Sequence, residues 1–283
     1  MPIPGQPELP PLSPVHARLN RWHVSAEHWL YRHGLKSAHG MPLPDFLGIG
    51  AQKSGTSWLH ENLRHHPDAF VSPVKELHYF DSHFDEPLRN YSEIFKPAGN
   101  RLKGEVTPAY SILPVERIKY IRAIMPDVRL IFLMRNPIER AWSHAVMILV
   151  TQAGKSYEQI TPAEFYEHFT SDANQLRGDY ETIIDSWLSV FPAEQLLLGF
   201  FEEIIHQPVE LLKAVCRHVG LREDVDWSGF PYRQRVYAGP GIAMPIEYER
   251  FLTSLHKERI LRLSKRFGPR FGKWLETYPA HDL

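Results

Sequence analysis

The stretch Val128–Met134, VRLIFLM, is apolar at all but one of its positions and runs straight into Arg135-Asn136-Pro137. A strand with apolar side chains on both faces needs cover on both faces, which is the condition of a parallel sheet inside an α/β domain. The surrounding sequence repeats the theme. Apolar strands are predicted at Phe46–Gly50, Ala69–Ser72, Lys103–Val106 and Gln195–Phe201, with VRLIFLM as the fourth in order. Helical periodicity fills the intervals at Thr56–His65, Val115–Met125, Pro137–Val150, Tyr180–Phe191, Pro208–Val219 and Pro245–Phe267. Short strands joined by helical crossovers imply a three-layer α/β domain with a parallel sheet of about five strands flanked by helices. Ligands then belong beyond the carboxyl ends of the strands.

The first strand leads into Gly50-Ala-Gln-Lys53-Ser54-Gly55-Thr56-Ser57-Trp58. A glycine-bearing turn from a strand into a helix presents backbone N–H groups and the positive end of a helix to an anion. The frame is P-loop-like, with two departures. The nucleotide triphosphatase loop carries lysine directly after its second glycine; here that place is Thr56 and the lysine sits inside the loop as Lys53. An ordinary phosphohydrolase or kinase would end VRLIFLM in a magnesium-binding aspartate; this chain ends it in Arg135. The loop is expected to hold phosphate with cations and amides, without a metal.

Two motifs on two strands, in this order, resemble the sulfotransferase family that uses 3′-phosphoadenosine 5′-phosphosulfate (PAPS). Lys53-Ser54-Gly55-Thr56-Ser57-Trp58 is similar to its 5′-phosphosulfate loop. Arg135-Asn136-Pro137, with Ser143 eight residues after the arginine, is similar to its 3′-phosphate motif. On spacing alone Ser143 is an ordinary helix-surface serine; only the resemblance gives it a role. Lys75-Glu76-Leu77-His78-Tyr79-Phe80-Asp81 resembles a segment of the glycan-modifying branch, which includes the heparan sulfate enzymes. The resemblance implies that Glu76 is the base for an acceptor hydroxyl, with His78 as helper, and that Lys53 offsets charge on the departing nucleotide. It also implies that a basic C-terminal loop, here Arg233 and Arg235, closes over the 3′-phosphate. Gly104-Glu105-Val106-Thr107-Pro108-Ala109-Tyr110 resembles a further segment of that branch but has Val106 where the branch has lysine, leaving Lys103 as a substitute. The implied acceptor is a hydroxyl, or less readily an amine, of a carbohydrate or glycoconjugate. Rival readings are a P-loop kinase or NTPase, which needs the missing lysine and aspartate, and a PAPS-binding scaffold without turnover.

Composition narrows the partners. Thirty-two basic against thirty-three acidic residues give a net charge of −1 in 283 residues, which argues against a nucleic-acid-coating protein. A single cysteine, Cys216, permits no internal disulfide and fits a reducing, cytoplasmic setting. No apolar run is long enough to span a bilayer, and the N-terminus lacks a secretory pattern.

Residues 1–44 are expected to form a Pro-rich leader and an amphipathic arm helix, with the catalytic domain over 45–283. The helix is expected to begin at Ser13-Pro14, to present Val15, Leu19, Trp22, Ala26 and Trp29 or Leu30 as its apolar stripe, and to stop at Gly34. It would lie on the main domain or on a partner subunit. His16, His23, His28, His33 and His39 have no spacing of three or four and read as solvated surface histidines, not metal ligands.

Overall fold

The computed structural model describes residues 24–234, 236 and 239–278. Its centre is a five-stranded, all-parallel sheet in the order β2-β3-β1-β4-β5. The strands are β1 Phe46–Gly50, β2 Ala69–Val71, β3 Leu102–Val106, β4 Arg129–Met134 and β5 Leu196–Phe200. Alternation along β4 explains the layers. Leu130, Phe132 and Met134 enter one hydrophobic cluster, while Ile131 and Leu133 enter the other. The second cluster is roofed by α2 (Thr56–Arg64) and α10 (Pro208–Val219). The first is roofed by α4 (Val115–Ile124), α5 (Pro137–Ala145), α8 (Tyr180–Leu188) and α11 (Ile246–Phe267). The apolar runs read from the sequence are therefore strands covered on both sides.

Several boundaries and elements differ from the sequence reading. The helix expected over Pro137–Val150 is α-helical only to Ala145 and then widens into a π-helical stretch, Val146–Gln152. The short helices α3 (Leu88–Glu93), α6 (Pro162–Thr170), α7 (Asp172–Gly178), α9 (Phe201–His206) and α12 (Lys273–Glu276) were not read from periodicity. Most are under two turns or so, too short for a 3.6-residue pattern to repeat. Phe201 starts α9 and does not extend β5.

The arm helix, α1, covers residues 24–32 of the described chain and ends at Gly34, whose φ of 68° is left-handed. It docks on its own domain, but through a different face from the one expected. Val24, His28 and Tyr31 point inward, whereas Ala26 is exposed and Trp29 is 52% exposed. Val15, Leu19, Trp22, His16 and His23 lie outside the described residues. The surface reading fails for His28, because an aromatic recess accepts it: its ring lies 4.0 Å from Phe84 and 4.6 Å from Tyr120. Burial lowers its pKa to about 4, so it is neutral there. His33 and His39 are exposed as expected.

The close approach of β1 and β3 requires Gly104. A Cβ there would sit 2.1 Å from ring atoms of Phe46, its register partner. Gly104→Ala is expected to lower stability by about 1–3 kcal/mol through overpacking. Urea unfolding checks this; an unchanged midpoint would mean that Phe46 yields without cost.

Candidate active site

The connections leaving the carboxyl ends of β1, β2 and β4 carry the candidate residues to one rim of the sheet. After β1, the loop reaches α2 through Gly55, whose φ of 89° no Cβ-bearing residue tolerates easily. No side chain caps α2, so its first amides are left for a ligand. Thr56 is buried and Ser57 half-buried in that first turn. Ser54 is wholly buried and its Oγ has no hydrogen-bond partner. Burial, with help from the neighbouring charges of Arg135 and Lys75, pushes the Lys53 pKa down, while Glu76 pulls the other way. Lys53 thus stands within electrostatic reach of both motifs. Trp58 packs in the α2-side core and spends its indole N–H on the Tyr232 carbonyl, at 2.8 Å. That bond ties the turn carrying Arg233 to α2. Arg233 is exposed and lies over the Tyr232 ring; Arg235 is outside the described residues.

After β4, Asn136 caps α5 by accepting from the Ile138 amide, and Pro137 takes the first helical position. Arg135 is held by Glu139, one turn on, with Nε at 2.9 Å and Nη2 at 2.8 Å from the same carboxylate oxygen. Ser143 lies half-buried one turn beyond Glu139, on the same helix face. The Tyr180 hydroxyl donates to the Arg135 carbonyl at 2.7 Å, and Tyr278 donates to Glu139 at 3.2 Å. Behind them Arg140 is fully buried, with Nη2 bonded to Asn174 and its Nε and Nη1 unpartnered. This edge of the rim is rich in fixed positive charge.

After β2, a chain of alternating charges forms. Lys75 donates to Glu76, whose other oxygen lies 3.4 Å from His78 Nε2; His78 Nδ1 donates to Asp81 Oδ2 at 2.8 Å. The bonds to Asp81 and Glu76 raise the His78 pKa to about 10. Burial alone would raise that of Glu76, but His78 and Lys75 outweigh it and hold the carboxyl at about 2. Lys75 is thus a partner of Glu76, while Arg64 pairs with Glu61. Among the described residues, only Lys53, Glu76 and His78 are non-glycine residues with left-handed φ, at 71°, 65° and 54°. Backbone strain of this kind persists where the surroundings impose it, and it gathers at functional sites.

Lys103 does not replace the lysine absent at Val106. It lies toward the far end of β3, paired with Asp45 at 2.8 Å, while Val106 is buried against α2. Among the described residues no group of three or more His, Cys, Asp or Glu could hold a metal ion.

The sequence profile of the sulfotransferase domain matches residues 43–227. The chain belongs to the sulfotransferase domain family. Human heparan sulfate glucosamine 3-O-sulfotransferase 6 is 28% identical over 222 residues, covering 71% of this chain and 64% of the relative. Human heparan sulfate glucosamine 3-O-sulfotransferase 3B1 is 30% identical over 201 residues, covering 68% of this chain and 50% of the relative. The chain therefore spans between half and two thirds of the length of these relatives. A sulfotransferase from Alicyclobacillus acidocaldarius shares the fold, with a TM-score of 0.64 at 24% identity over 79% of this chain and 95% of that one.

The sequence of this sulfotransferase-family chain did not point to Glu105, which accepts from Thr107 and Tyr110 beneath the segment after β2, nor to Glu139 and Tyr278. The run Gly104–Tyr110, read for its missing lysine, contains the first of them.

The charge chain has a definite pH signature. The raised His78 pKa contributes stability that is complete below about 6.5 and lost as pH rises toward about 10. The lowered Glu76 pKa contributes stability that is complete above about 4.5 and lost as pH falls toward about 2. NMR of the ring nitrogens should find His78 still an imidazolium at pH 8, and Asp81→Asn should move its midpoint back toward neutrality. A wild-type midpoint near 6.5 would contradict the arrangement.

Proposed function

We propose that this protein is a PAPS-dependent sulfotransferase that moves a sulfuryl group to a hydroxyl of a carbohydrate or glycoconjugate. The observation that carries the reading is the convergence of Lys53, Glu76 and His78. They belong to two separate motifs and share left-handed strain, and Glu76 lies within electrostatic reach of Lys53 and 3.4 Å from His78. The heparan sulfate relatives support a sugar acceptor. One buried cysteine, with no partner in the chain, supports a cytoplasmic setting.

The residues present fit such a donor. The orphaned Ser54 hydroxyl, the uncapped amides of Gly55, Thr56 and Ser57, and Lys53 together suit a tetrahedral anion. Arg135 and Ser143 suit a second phosphate, and the Trp58–Tyr232 bond ties the turn that carries Arg233 to α2. When bound, PAPS supplies the sulfuryl group. Glu76 takes the proton of the acceptor hydroxyl, which requires Lys75 and His78 to loosen, because a carboxyl held at about 2 is a poor base. Lys53 offsets the negative charge that grows at the loop, and the α2 amides fix the anion's position. In this reading the phosphate charge is met by side chains and amides, since the residue that follows β4 is Arg135.

Two outcomes follow for the nucleotide and the base. Calorimetry should show 3′-phosphoadenosine 5′-phosphate binding far more tightly than adenosine 5′-phosphate. Arg135→Ala should remove much of the difference, about 1.5–3 kcal/mol for a charged hydrogen bond. Equal affinity of the wild type for both nucleotides would remove the 3′-phosphate assignment.

With radiolabelled PAPS and a glycan panel, Glu76→Gln should cut turnover by about 10²–10⁴-fold. Nucleotide affinity should hardly change, and EDTA should leave the wild-type rate intact. A near-normal rate in the variant would move the base to another group.

A further inference from the structure

The outward-facing Trp29 is the feature of the arm that packing does not explain. It lies on a wall of a cavity of about 580 Å³, a size that suits a small-molecule ligand. Ser25, His28, Trp29 and Arg32 line one side at the i, i+3, i+4, i+7 spacing of a single face of α1. The opposite wall comes from the connections that leave the carboxyl ends of β2 and β3: Asp81, Ser82 and Asp85 from the first, and Glu116 and Arg117 from the second. The cavity thus lies beside the segment after β2 that carries Glu76 and His78. Asp81 belongs to both places, lining the cavity and holding His78 at 2.8 Å.

We infer that this cavity is an acceptor subsite and that it takes an uncharged oligosaccharide unit adjacent to the one carrying the reacting hydroxyl. The inference rests on the sulfuryl-transfer reading above and specifies its acceptor. Three features select a sugar. Trp29 offers an aromatic face, its other face being stacked on His33 at 4.3 Å between ring centroids. Carboxylates and serine hydroxyls around it supply many hydrogen-bond acceptors for a polyhydroxylated ligand. His28 at the base is buried and brings no charge.

Charge then selects an uncharged one. Both guanidiniums of the cavity are already engaged: Arg32 with Glu116, and Arg117 with the Phe80 carbonyl at 2.7 Å and the Phe84 ring at 3.6 Å. With His78 on Asp81, and Arg32 and Lys119 on Glu116, the described charges around the walls are close to balanced, and Asp85 has no ion pair among the described residues. A polyanionic chain would find no unengaged cation among the described residues that line the cavity.

The full chain is titrated, without nucleotide, with four uncharged oligosaccharides (chitotetraose, cellotetraose, maltotetraose and lacto-N-tetraose) and with a glucuronate-containing tetrasaccharide. At least one uncharged probe should bind saturably, and more tightly than the glucuronate probe. Trp29→Ala should weaken that binding about tenfold and raise the acceptor KM similarly, with kcat within about twofold, as expected for lost ground-state contact. Trp29→Phe should recover most of the affinity. Because Trp29 is half exposed, its truncation should leave the melting temperature and the affinity for 3′-phosphoadenosine 5′-phosphate unchanged.

Absence of binding by all four uncharged probes, equal affinity in wild type and Trp29→Ala, or preference for the glucuronate probe would each overturn the subsite. The two readings fail separately. Sulfuryl transfer with Trp29 irrelevant removes the subsite and leaves the function. Trp29-dependent sugar binding without nucleotide binding does the reverse.

Discussion

A single buried carboxylate steadies the strained segment on which the candidate site is built. Glu105, on β3, is 1% exposed and receives the hydroxyls of Thr107 at 2.7 Å and Tyr110 at 3.0 Å, and that of Tyr91. Burial raises its pKa, and those hydroxyls together with the Leu77 amide work against the rise. Leu77 stands between Glu76 and His78, both in left-handed conformation. Tyr110 reaches one step further and accepts from the Phe80 amide at 3.4 Å. Strained φ values each cost of order 1–3 kcal/mol and persist only where the surroundings over-determine them. Here the over-determination comes from inside the sheet: a central strand offers a carboxylate, and the segment after β2 folds onto it.

Electrostatics divide the rim into two halves. Around the glycine loop, Lys53, Arg135 and the buried Arg140 accumulate positive charge, with Glu139 paired to Arg135, and the α2 dipole adds to it. Along the segment after β2 the signs alternate, Lys75, Glu76, His78, Asp81, so the chain is close to neutral. The first half suits a multiply charged nucleotide. The second suits a neutral nucleophile that must lose a proton. Lys53 links them, because its own charge is disfavoured by Arg135 and Lys75 and favoured by Glu76.

The parts of this structure that could be read in the sequence are those in which one physical demand leaves a repeated mark. Burial on both faces made VRLIFLM legible as an inner parallel strand, and the phosphate loop and Arg135-Asn136-Pro137 stood at strand ends. Helix α10 was read at its observed limits, Pro208–Val219, because its apolar periodicity runs for three turns. Helices of six or seven residues left no such mark. The arm shows a different failure. Its inward face is set by the recess that Phe84 and Tyr120 build from distant parts of the chain, so a histidine went in and a tryptophan stayed out. Glu105 was equally hidden, since its three hydroxyl partners are brought to it by α3 and by the turn after β3.

The resting state of Glu76 bears on how the proposed reaction is timed. A carboxyl held at about 2 by His78 and Lys75 has little tendency to take a proton from water that wanders into the rim. Its basicity rises only as those cations move off it, and an acceptor hydroxyl that inserts beside Glu76 is placed to displace one of them. His78 has somewhere to go: Asp81 already holds its other nitrogen at the shorter distance of 2.8 Å, against 3.4 Å to Glu76. The longer contact is the one that yields first. The same charges that stabilise the strained segment at rest would then keep the base masked until an acceptor is in place.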